Sequence, residues 1–96
     1  MIKNFSSKTA QDIYNGINSR FARRLPTSLH RKAQRLLDQL NSATQVETLN
    51  IPPSNKLSKL TGNLKNYWRV KIDKQWAIIF MWKEGLVYNV DIVDYH

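Results

Sequence analysis

Asp94, Tyr95 and His96 set an acid, a phenol and an imidazole side by side at the end of the sequence. These groups move protons at neutral pH when held against a substrate. On an extended strand Asp94 and His96 fall on one face and Tyr95 on the other, unless a bulge re-aims them. Alone the triplet is a weak signal, since polar residues near a terminus are most often simply solvated. A second set is cationic: Lys56, Lys59, Lys65, Arg69, Lys71 and Lys74 lie in one stretch where Asp73 is the sole acid. Strand alternation places Lys56 with Ser58, and Arg69 with Lys71. Cations beside a scissile phosphate stabilise the charge that builds on its oxygens, the main demand of RNA cleavage without a metal. Any one of these lysines taken singly is an ordinary exposed strand residue.

Tyr67, Trp68, Trp76, Phe80, Trp82, Tyr88 and Tyr95 form an aromatic set. Rings interleaved with cations can stack unpaired bases at roughly 1–3 kcal/mol per base. A small core needs most of these rings, and Tyr95 is the one placed for stacking or proton transfer.

The elements that must position these groups follow from pattern. Ile2 to Phe5 reads as a short strand ending at Ser6 and Ser7, a helix cap. Ile13, Tyr14 and Ile17 share one face of a weak helix from about Lys8 to Ile17, which Asn15, Gly16 and Asn18 disfavour. Pro26, Thr27 and Ser28 break the chain and start a second helix, whose Leu29, Ala33, Leu36, Leu37 and Leu40 make a single apolar stripe. No acidic residue lies between Ile13 and Leu37, so Arg20, Arg23, Arg24, Arg31, Lys32 and Arg35 form an uncompensated basic region. It reads equally as a solvated helix face or as a binding surface.

Asn41 to Asn50 is a connector with a short helical turn, closed by the rigid loop Pro52 to Asn55. Beyond it the pattern is sheet: strands over Lys56 to Leu60, Tyr67 to Ile72, Trp76 to Trp82 and Leu86 to Asp94, joined by turns at Thr61 to Asn63, Asp73 to Gln75, and Glu84 and Gly85. The expected fold is α+β: an N-terminal strand and two helices packed on a mainly antiparallel sheet of four to five strands, with 1–96 as one domain.

Composition narrows the function classes. The chain has 96 residues, 42% of them hydrophobic, and a formal charge of +8. That is enough apolar material for one core, and a field of that sign draws polyanions such as RNA, DNA or an acidic protein. With no cysteine, and with His30 and His96 lacking metal-site spacing, no disulfide, structural metal or cofactor is expected. No apolar stretch approaches the ~20 residues of a membrane span, which makes the cytoplasm the expected location.

Three motifs join these observations. Leu57-x-x-Leu60-x-Gly62-Asn63 leads a hairpin, Tyr67-Trp68-Arg69-Val70 runs toward Trp76, and the sequence closes on Asp94-Tyr95-His96. With the opening Met1 to Phe5, this series resembles the HigB family of type II toxins in the RelE/ParE superfamily, particularly its GraT-like branch. The resemblance spans essentially the whole chain and is stronger in its C-terminal half. It implies a RelE-like fold, a metal-independent, ribosome-dependent endoribonuclease cutting mRNA in the A site, and inhibition by a HigA-type helix-turn-helix antitoxin, through which the complex would bind operator DNA. By position, Asp94, Tyr95 and His96 match the catalytic motif, while Lys56, Lys59, Arg69 and Lys71 match the RNA-binding face. Two positions depart: Ser58 stands where several members have histidine, and Ala77 stands where arginine is usual. The resemblance makes that arginine a phosphate contact and catalytic position, so Ala77 implies an attenuated enzyme. The other reading is a non-catalytic protein, either a ParE-like gyrase inhibitor or a basic module that binds RNA uncut.

Overall fold

The computed structural model describes residues 1–95, so His96 lies outside the described residues. Helix α1 (Lys8–Tyr14) starts where the Ser7 hydroxyl accepts the Ala10 N–H at 3.2 Å. It is shorter than the apolar spacing predicts, because Gly16 at φ 72° turns the chain away before Ile17. The returning loop is fastened by buried Asp12, whose carboxylate accepts from the Ser19 hydroxyl at 2.6 Å and the Lys8 ammonium at 3.1 Å. The Ser19 bond first, and then Lys8, hold the Asp12 carboxyl below its usual range.

A 3-10 turn at Thr27–Leu29 follows Pro26, and α2 (His30–Ser42) continues from it. Ala33, Leu36, Leu37 and Leu40 are buried, as the stripe predicts, and Leu29 packs at the margin of the core. Each large apolar side chain buried this way stabilises the fold by about 1.5–3 kcal/mol relative to exposure.

Four strands form an antiparallel meander in chain order: β1 (Ser58–Lys59), β2 (Tyr67–Lys71), β3 (Trp76–Lys83) and β4 (Leu86–Asp94). Strand β1 is shorter than expected, since Lys56 is left-handed at φ 50° and a 3-10 turn at Gly62–Leu64 follows. The β2–β3 hairpin is pinned by Asp73, whose carboxylate accepts the Gln75 and Trp76 N–H groups at 2.8 Å. Glu84 and Gly85, at φ 53° and 78°, make the β3–β4 turn, for which positive φ at both central residues matches strand twist.

The expected N-terminal strand is instead two isolated parallel bridges, Ile2 to Val87 and Phe5 to Val90. Asn89 is the reason: at φ 54° it leaves the extended conformation, inside an irregularity where the β3–β4 register shifts between Ile79 and Met81. The Asn4 carboxamide fills the resulting gap, accepting the Asn89 N–H at 3.0 Å and donating to the Asn89 side chain at 2.8 Å.

Trp68, Val70, Ile78, Phe80, Val87, Val90 and Ile92 face the helices and join the core. Alternation sends Ser58, Arg69, Lys71, Ala77, Ile79 and Val93 to the opposite face, which no helix covers. Among the described residues no helix is long and apolar enough to cross a membrane.

Candidate functional site

The helix-free sheet face gathers much of the predicted chemistry. Register sets Ser58 opposite Arg69 and Arg69 opposite Ile79, with Lys71, Ala77 and Val93 in the next row. Tyr95, two residues beyond Val93, returns to this face. Its N–H donates to the Gln75 carbonyl at 3.0 Å and its hydroxyl donates to the Asp73 carbonyl at 2.9 Å. The ring centroid lies 5.3 Å from the Arg69 guanidinium carbon and 5.6 Å from the Lys71 ammonium. Both distances are within reach of a cation–π attraction.

The Arg69 guanidinium donates through Nη2 to the Ser58 hydroxyl at 2.9 Å, and that hydroxyl donates onward to the Lys56 carbonyl at 3.3 Å. Among the described residues, Arg69 Nε is buried without a hydrogen-bond partner. An orphaned buried donor costs roughly 1–3 kcal/mol and marks a place where an acceptor would be welcome.

Other predicted residues go elsewhere. Lys59 pairs in register with Trp68 and sets its ammonium 5.2 Å from that ring, so it lies on the opposite side of the sheet from Arg69. Lys56 is exposed on the approach to β1 and enters the site through its carbonyl. Asp94 is opposite Trp76, on the helix side, where it accepts from Gln75 Nε2 at 3.0 Å. Ala77 is fully buried. The predicted catalytic residue His96 lies outside the described residues.

Ser58, Asp73 and Gln75 gain roles that residue type alone did not reveal. Ser58 holds Arg69, Asp73 receives the Tyr95 hydroxyl on its carbonyl, and Gln75 anchors both Tyr95 and Asp94. The Asp73 carboxyl is held below its usual range by the N–H groups of Trp76 and Gln75, with Lys32 and Lys74 adding to the effect. Among the described residues no cluster of three or more His, Cys, Asp or Glu could hold a metal ion. In the basic region predicted from Arg20 to Arg35, Lys32 acts on the Asp73 carboxyl through its charge.

The family model described as the RelE-like toxin of the type II toxin-antitoxin system HigB matches residues 3–96. The chain belongs to the HigB-like RelE toxin family. It is 32% identical over 89 residues to Toxin HigB-1 of Vibrio cholerae serotype O1 (strain El Tor Inaba N16961), covering 93% of this chain and 92% of that protein. A protein of Haemophilus influenzae that carries the name "Uncharacterized protein" is 25% identical over 67 residues, covering 70% of this chain and 66% of its own. The α+β architecture is thus the RelE-like one, and membership in a type II system implies an antitoxin partner. The helix-free sheet face holds Arg69, Lys71 and Tyr95 close together.

Proposed function

We propose that this HigB-like protein is a metal-independent endoribonuclease that cuts mRNA on the ribosome, acting in the cytoplasm under control of a HigA-type helix-turn-helix antitoxin through which the complex binds operator DNA. The observation that carries the reading is Arg69, Lys71 and Tyr95 converging on one open sheet face, with an unpartnered Arg69 Nε among them. In the reaction, the 2′-hydroxyl of a nucleotide attacks its adjacent phosphate and the 5′-oxygen leaves. One side chain takes the proton from the 2′-hydroxyl and another returns one to the leaving oxygen. Tyr95 and His96 are the groups assigned to this proton work, with Asp94 orienting His96. Arg69 and Lys71 stabilise the charge on the phosphate oxygens, and Lys56, exposed on the approach to β1, guides the flanking backbone, a part that Lys59 on the Trp68 side of the sheet does not share. No group beyond the chain's own side chains enters this scheme.

Ala77 bears on rate. A guanidinium there would be a fork-shaped phosphate donor next to Lys71, and its absence removes transition-state stabilisation of roughly a few kcal/mol. The enzyme is accordingly an attenuated one. The same missing cation favours the second reading, a ParE-like gyrase inhibitor or an RNA-binding module that does not cut. A paired assay separates them: cleavage of ribosome-bound mRNA mapped by primer extension, and gyrase-dependent DNA breakage. Cuts in mRNA with intact DNA are expected, and DNA breakage with intact mRNA would overturn the nuclease reading.

A further inference from the structure

Tyr95 extends from the end of β4 to cations on β2, although β3 lies between these strands. Its ring reaches them on the helix-free face, beside the β2–β3 turn whose Gln75 and Asp73 carbonyls accept its N–H and hydroxyl. The residue of β3 in register with both Lys71 and Val93 is Ala77, and it has no exposed surface. The hydroxyl is tied down by the Asp73 carbonyl at 2.9 Å, and beneath the ring sits the guanidinium whose Nε has no partner. Ser58 fixes the orientation of that guanidinium at 2.9 Å.

We propose that the Tyr95 phenol is a displaceable cover over a phosphodiester site formed by Arg69, Lys71 and Ser58, so that RNA enters this face only after the ring swings away. The covered state explains the orphaned donor: Arg69 Nε is shielded from water in the resting protein and finds its acceptor in a phosphate oxygen once the ring has left. It also sets the resting state of the phenolic proton, which is committed to a backbone carbonyl and becomes free for other work on the same movement. The apparent affinity for RNA is reduced by the fraction of molecules that are covered. Tyr95 thus opposes RNA binding in the free protein, the reverse of a stacking platform.

The proposal rests on the RNA-directed reading above, and its test separates the two because it scores binding without cleavage. The probe is a fluorescein-labelled hexanucleotide of 2′-O-methyl RNA, which cannot be cut, titrated against the full chain and followed by anisotropy at low salt. Removing the ring with Tyr95→Ala should tighten binding about ten-fold, and Tyr95→Phe, which keeps the ring but loses the Asp73 bond, about two- to three-fold. Adding Arg69→Gln to Tyr95→Ala should abolish the gain. Thermal unfolding verifies that each variant is folded at the assay temperature. Unchanged or weaker binding by folded Tyr95→Ala, or a gain that survives loss of Arg69, overturns the cover. If the nuclease reading fails, mRNA cleavage is absent from every variant while the gain in binding persists, and the cover stands.

Discussion

Arginine at position 77 would have to enter a site with no exposed surface, between Lys71 and Val93. Forcing a long side chain into a filled position costs roughly 1–3 kcal/mol. A third cation beside Arg69 and Lys71 adds a repulsion of about 2–3 kcal/mol at roughly 6–8 Å near a protein surface. For a domain of this size each kcal/mol moves the melting temperature by about 4–8 °C, so Ala77→Arg should melt roughly 10 °C or more below the parent. The full burial of Ala77 is what makes this cost large. The new fork-shaped donor should nonetheless raise ribosome-dependent cleavage by at least ~100-fold at a temperature where both proteins are folded, equivalent to about 2.7 kcal/mol in the transition state. The assay pairs primer-extension rates and growth arrest with thermal unfolding. Equal cleavage by the two folded proteins would refute the reasoning about a missing cation, and an unchanged melting temperature would refute the packing argument.

Three further outcomes follow from the same face. Ser58→Ala should lower cleavage about ten-fold with a small loss of stability, because Arg69 Nη2 loses its acceptor, and Ser58→Thr should restore most of it; equal rates for all three proteins would remove Ser58 from the site. Binding of single-stranded RNA should weaken steeply with salt, and Arg69→Gln should make the slope of log K against log salt shallower by ~0.7, whereas a flat dependence in the parent would argue against a polyanion ligand. The Asp73 carboxyl has a folded pKa below its ordinary value of 3.8, so its contribution is complete above that value and is lost as pH falls through the lowered one. Asp73→Ala should therefore cost about 1–2 kcal/mol at pH 6, with the gap to the parent narrowing below about pH 3.8; a gap constant down to pH 2 would contradict the assignment.

How much of this was legible beforehand depended on distance along the chain. The stripe from Leu29 to Leu40, the turn at Glu84 and Gly85, and the alternation of β2 and β3 are local patterns, and the structure places the elements there. The N-terminal strand was misread because its continuity depends on Asn89, far away in sequence, whose left-handed backbone breaks the ladder opposite Asn4. The site divides in the same way. That Arg69 and Lys71 share a face follows from alternation, and so does the separation of Tyr95 from Asp94. Which strand position lies opposite Ser58 depends on register across a turn, so neither its bond to Arg69 nor the placement of Lys59 on the Trp68 side could be read from spacing. Nor does anything in the local sequence of Ala77 announce that it is fully buried.

The central claim is that this HigB-like toxin cuts mRNA on the ribosome with the helix-free sheet face. The most direct measurement is primer extension in a purified translation reaction, comparing one mRNA with its copy lacking the start codon, using the parent protein and its Arg69→Ala variant at concentrations where both are folded. The account predicts cuts within the translated mRNA, none in the untranslated copy, and loss of the cuts with Arg69→Ala. Equal cutting of both mRNAs, or cuts undiminished by Arg69→Ala, would contradict it.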